Sequence, residues 1–105
     1  IKASGTVVQG SDIRLKEDIR PIDNALSRVN NIDGVYFTYK DSGDKSIGVI
    51  AQDIQKILPE VVSEDKNGYL GVNYSGIVPV LIEAVREQNS IISDLEDRIS
   101  KLENK

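Results

Sequence analysis

The chain has no cysteine and no histidine among its 105 residues. Without cysteine it has neither a disulfide framework nor a thiolate zinc site. Without histidine it lacks both the commonest general base and the commonest transition-metal ligand. Any catalysis therefore falls to Ser, Thr, Tyr, Lys or the carboxylates. Lys and Arg number 13 against 17 Asp and Glu, a net charge of -4, so nucleic acid and anionic membrane surfaces are not favoured as partners. No apolar run approaches the roughly 20 residues that span a bilayer, and the N-terminus lacks the blocks of a signal peptide. What is present is a hydrophobic content of 39%, enough for one small core with an appendage.

Residues 1–10, Ile-Lys-Ala-Ser-Gly-Thr-Val-Val-Gln-Gly, combine β-branched residues with glycine and read as the end of a preceding domain. Ile13, Leu15 and Ile19, interleaved with charges, suit a half-buried strand or an extended arm. Ile22, Leu26 and Val29 have helical spacing behind Pro21, which predicts a helix over 22–30. Val35-Tyr36-Phe37-Thr38-Tyr39 and Ser46-Ile47-Gly48-Val49-Ile50 are expected to form a hairpin across Asp41-Ser42-Gly43-Asp44. A helix over 51–58 stops at Pro59. A second hairpin is expected around Asn67-Gly68, a strong turn signal. Tyr36, Tyr39, Tyr69 and Tyr74 all fall in these strands, where core or edge packing explains them more simply than carbohydrate binding. Neither acidic turn has the alternating ligands and terminal Glu of a calcium loop, so no metal and no cofactor is expected.

Ser75 is the expected N-cap of a final helix that tolerates Pro79 in its first turn. Val78, Leu81, Val85, Gln88, Ile92, Leu95, Ile99 and Leu102 then follow at alternating steps of three and four, a heptad seam. Left in water, each large apolar side chain forgoes roughly 1.5–3 kcal/mol, so the seam implies a partner. Ile or Val at a with Leu at d favours two strands by the simplest rule, and Gln88 inserts a polar layer that fixes register. The series Arg98-Ile99-Ser100-Lys101-Leu102-Glu103 instead resembles the Arg-to-Glu pattern of three-stranded coils, which weights a parallel trimer above a dimer. The fold class expected is α+β: short hairpins and two short helices, then a long helix in a trimeric coiled coil.

Ser11 and Lys16 stand five apart in Gly10-Ser11-Asp12-Ile13-Arg14-Leu15-Lys16. A serine hydroxyl needs a nearby base to attack, and lysine is one only when neutral. Arg14 and Arg20 can supply a cation, and Leu15 and Ile19 apolar cover, that disfavour the ammonium form; Glu17 and Asp18 act in the opposite sense.

Ser11-Asp12-Ile13-Arg14-Leu15-Lys16-Glu17-Asp18-Ile19, Ile22-Asp23-Asn24-Ala25-Leu26, Gly48-Val49-Ile50-Ala51-Gln52-Asp53, Leu58-Pro59-Glu60-Val61-Val62, Asn67-Gly68-Tyr69-Leu70-Gly71-Val72-Asn73-Tyr74 and Val78-Pro79-Val80-Leu81-Ile82-Glu83-Ala84 together resemble the intramolecular chaperone auto-processing domain. That domain closes bacteriophage tail fibres, tailspikes and endosialidases. The resemblance spans residues 11 to about 90. It implies a homotrimer whose folding client is the fibre domain before it in the same chain, with Ser11 as nucleophile and Lys16 as base of a single-turnover self-cleavage. The division that follows is a fibre stub over 1–10, the chaperone body over 11–76 and the coiled-coil helix over 77–105. Its expected place is a virion tail fibre precursor assembled in the host cytoplasm, with the domain released after the cut. Attack by Ser11 on the Gly10 carbonyl closes a five-membered ring, which points to the Gly10-Ser11 bond; attack from a neighbouring chain would also open Ser11-Asp12. Leu81, Val85, Gln88, Ile92, Leu95, Arg98, Ile99, Leu102 and Glu103 are the expected trimer contacts. The rival is a trimerising or receptor-binding tip that never cuts.

Overall fold

Asn24 stands at φ 51°, a left-handed conformation that asparagine tolerates better than most residues. In the computed structural model, which describes residues 8–105, the first helix begins only after it. This helix, α1 (Ala25–Val29), is shorter than the 22–30 that apolar spacing predicts, because the left-handed residue turns the chain away at Ile22 and Asp23. Asn24 offers the helix no side-chain cap. Glu87, far along the chain, takes over: its carboxylate accepts from the Ala25 N–H at 2.9 Å and from the Leu26 N–H at 3.3 Å, satisfying two of the amides that a helix start leaves unpaired. Residues 1–7, most of the expected stub, lie outside the described residues.

The strands β1 (Val35–Thr38) and β2 (Lys45–Gly48) form the expected antiparallel hairpin, Val35 opposite Gly48 and Thr38 opposite Lys45. Gly48 has a packing reason to be glycine. A Cβ there would lie 2.5 Å from the Tyr74 hydroxyl, which accepts the Val49 N–H at 3.1 Å and ties this hairpin to the start of the last helix. The helix α2 (Ala51–Ile57) follows and ends before Pro59, with Ile54 and Leu58 buried. The second hairpin pairs β3 (Val62–Glu64) with β4 (Leu70–Val72), Val62 opposite Val72. Its turn is closed by the Asp65 carboxylate, which accepts from the Asn67 and Tyr69 amides at 2.9 and 3.0 Å, while Gly68 takes φ 86°.

Of the four tyrosines only Tyr36 lies in a strand, and all four are exposed rather than in the core. Tyr74 instead opens a 3-10 turn, Tyr74–Gly76, that leads into α3 (Ile77–Glu103), a helix of 27 residues. That turn displaces the expected cap. Ser75 sits one residue too early, and Gly76 occupies the N-cap position without a side-chain bond. The Ser75 hydroxyl faces Asn73 Oδ1 at 2.7 Å and Gln9 Oε1 at 3.0 Å.

Ala25, Ile54, Leu58, Val80 and Ala84 form the core, flanked by Ile22, Leu26, Val29, Val49 and Val72. Packing of α1 on the first turns of α3, with Ile54 of α2 and Leu58 just after it in the same cluster, therefore closes the head within one chain. From Gln88 to the C-terminus every residue of α3 is exposed. Among the described residues the architecture is α+β: two separate two-stranded sheets, short helices and one long C-terminal helix.

Candidate functional site

Ser11 and Lys16 would be up to about 17 Å apart in an extended chain. A short 3-10 turn, Ile13–Leu15, interrupts that extension. Asp12 caps it: the backbone is extended (φ -66°, ψ 135°) and Oδ1 accepts from the Arg14 N–H at 2.9 Å. The Asp12 and Ile13 carbonyls then accept from the Leu15 and Lys16 amides at 3.0 and 3.2 Å. Lys16 resumes extended backbone, and its Nζ returns to donate to Ser11 Oγ at 2.8 Å. That separation lies within the range over which a base takes a proton from a nucleophile. Neither residue is buried.

The surroundings differ from those the sequence suggests. Arg14 does not press on Lys16; its Nε and Nη2 fork onto Asp12 Oδ1 and Oδ2 at 3.1 and 2.8 Å. The guanidinium beside it holds the Asp12 carboxyl below its ordinary 3.8, and the carboxylate in turn raises Arg14. Arg20 lines a polar depression with Asp18, Asp23, Arg28 and Glu60. Of the ion pairs among the described residues none involves Lys16. Ile13, Leu15 and Ile19 are 72%, 77% and 65% exposed, so within one chain they do not shield the amine. No strand forms in this segment: it is an exposed arm with one turn in it. Leu15 does approach the neighbouring peptide, its Cδ1 lying 3.8 Å from where a side chain on Gly10 would begin.

The expected association residues are on one open stripe. Leu81, Val85, Ile92, Leu95, Ile99 and Leu102 are between 43% and 65% exposed, and Gln88 sits among them. Along α3 the ion pairs within the chain are Arg86 with Glu83 and Lys101 with Asp97. Arg98 and Glu103, both exposed, form none among the described residues. Among those residues no group of His, Cys, Asp or Glu is arranged to hold a metal ion.

Sequence reasoning placed Asp12 only beside a possible cut and missed its work as a cap. The signal was present, since Asp readily accepts from the amide two residues on. Glu87 left no local signal.

Comparison with known proteins gives this geometry a context. The model of a peptidase family described as chaperone of endosialidase matches residues 11–63, opening at Ser11. The long tail fiber protein Gp37 of Enterobacteria phage K3 is 35% identical over 98 residues, which take in 85% of this chain and 8% of that protein. The Gp37 of Enterobacteria phage T2 is 35% identical over 98 residues, covering 85% of this chain and 7% of its own length. The Gp37 of Salmonella phage S16 is 27% identical over 105 residues, covering 90% and 14%. The chain thus spans only a small fraction of these relatives.

Proposed function

The chain belongs to the chaperone-of-endosialidase family, and on that premise we propose that it is the C-terminal chaperone of a phage tail fibre that joins three chains and then cuts itself free. One observation carries the cut: Lys16 Nζ lies 2.8 Å from Ser11 Oγ, at the first residue of the family match. The similarity to long tail fibre proteins supports the fibre as client. In this reading 1–10 is the end of the fibre, 11–76 the chaperone body and 77–105 the coiled-coil helix of a parallel homotrimer. The precursor assembles in the host cytoplasm.

The chemistry follows from the two side chains. When neighbouring subunits cover Ile13, Leu15 and Ile19, apolar surroundings favour the neutral amine of Lys16. That amine takes the proton of Ser11 Oγ, and Oγ attacks the Gly10 carbonyl carbon through a five-membered ring. The Gly10–Ser11 C–N bond breaks, and the Ser11 nitrogen takes the proton back from Lys16. Gly10 is now an ester of Ser11 Oγ. Water hydrolyses the ester, leaving a Gly10 carboxylate and the free hydroxyl and amine of Ser11. Gly10 presents no side chain to hinder the approach.

Assembly before cutting has a physical purpose. A β-rich trimer has mostly long-range and interchain contacts, which form slowly. Joining the C-termini raises the effective concentration of the chains and sets their register. After release the fibre cannot unfold by the route that assembled it, and its stability becomes kinetic.

The test is a timed gel of the fibre precursor at neutral pH, with N-terminal sequencing of the pieces. Release of a fragment beginning at Ser11, abolished by Ser11→Ala and by Lys16→Ala, supports the reading. A fragment beginning at Asp12 moves the cut to Ser11–Asp12. A wild-type trimer that stays whole for days refutes the cut and leaves the rival, a trimerising or receptor-binding tip, which the exposure of Lys16 within one chain favours.

A further inference from the structure

We infer that Asp12 is a positioning residue for the dyad, and that Arg14 serves it. This rests on the self-cutting reading above. Asp12 touches neither the hydroxyl nor the amine; it acts on the turn between them. Its carboxylate holds three donors of Arg14, the backbone N–H at 2.9 Å, Nε at 3.1 Å and Nη2 at 2.8 Å. Its own carbonyl closes the turn at Leu15. Releasing Asp12 loosens the turn, and Ser11 Oγ and Lys16 Nζ lose the register that holds them 2.8 Å apart.

The pair is well suited to positioning and poorly suited to stability. The Arg14 and Asp12 side chains are 86% and 44% exposed, and exposed ion pairs contribute little to folding. None of the head's buried residues lies in this turn. Loss of Asp12 should therefore slow the cut without loosening the domain. Arg14 is spent on Asp12, so the cover that neutralises Lys16 has to come from apolar residues of the assembly.

Release rates and thermal unfolding of the fibre precursor test this with three variants. Asp12→Ala is expected to slow release about 100-fold, the cost of a misplacement near 1 Å, with an unchanged melting temperature. Asp12→Asn keeps an oxygen for the Arg14 N–H and should recover to within about tenfold of wild type. Arg14→Gln removes the fork but leaves the backbone cap, and should slow release about tenfold. If Asp12→Asn is as slow as Asp12→Ala while Arg14→Gln cuts normally, Asp12 acts by its charge on the dyad and the positioning role is overturned. Wild-type release from Asp12→Ala overturns it as well. If Asp12→Ala also melts early, Arg14→Gln decides: a normal rate sinks the proposal. If the unaltered precursor releases nothing, the cut itself is refuted. The positioning of Lys16 is then read by NMR on the uncut chain, where Asp12→Ala should move the Arg14 amide and Lys16 side-chain resonances; an unmoved Lys16 refutes it.

Discussion

Two faces of α3 divide the apolar surface of this molecule. Ile77, Val80 and Ala84 are buried against the head, whereas Val78, Leu81 and Val85, a step round the same turns, are half open. The two sets are chemically alike and differ in what they meet. One closes within a single chain around Ala25, Ile54 and Leu58; the other continues through Ile92, Leu95, Ile99 and Leu102 with no facing surface among the described residues. The arm carrying Ser11 and Lys16 belongs with the open set, since Ile13, Leu15 and Ile19 are at least as exposed as any residue of the seam. The core thus closes within one chain, while the arm and the seam do not.

Leu95→Asp is the severest way to break this contrast. In a trimer it removes three seam leucines, each worth roughly 1.5–3 kcal/mol on burial, and places three like charges in one layer. Association should be lost in analytical ultracentrifugation and release should stop with it, while the head keeps its circular dichroism. A head that unfolds along with the seam would show that the closed set is not self-sufficient. A trimer that persists would show that the seam is not the interface.

Glu87→Ala probes the closed side with a smaller effect. Its carboxylate is the tertiary cap of α1, and hydrogen bonds to charged groups are each worth about 1.5–3 kcal/mol. Urea unfolding should move by about that amount, with Glu87→Gln losing less because one acceptor remains. Oligomeric state should not change, since Glu87 faces the head. An unaltered urea midpoint would mean that the α1 amides find water instead.

Local signals made much of this legible. Asn67-Gly68 set the second hairpin, Pro59 stopped α2, and the three-four seam gave the length of α3 to within two residues of its end. What escaped was tertiary. The start of α1 depends on a left-handed Asn24 and on a carboxylate supplied from α3, neither of which apolar spacing registers. Ser75 has the residue type of a cap, but it lies inside the 3-10 turn Tyr74–Gly76 that Tyr74 opens while its hydroxyl accepts from Val49. The second apolar face of α3 was hidden behind the longer seam. For Ser11 and Lys16, a spacing of five gave no direction. Lys16 reaches back to Ser11 across a turn that Asp12 caps, and that geometry is not written in the spacing.

The smallest effect lies on that turn and is read only locally. The Arg14 fork lowers the Asp12 carboxyl from its ordinary 3.8 in the folded chain. A carboxylate lowered on folding adds its stabilisation above its unfolded value, here above 3.8, and loses it as pH falls through the folded midpoint. Because the carboxyl lies in solvent, screening keeps the effect on global unfolding small. A carbon-detected NMR titration of uncut Ser11→Ala protein should place the Asp12 midpoint below 3.8, and Arg14→Gln should return it toward that value. A midpoint at or above 3.8 in the parent would mean that the fork is not held in solution, and the open arm would then owe its turn to the assembled neighbours rather than to its own sequence.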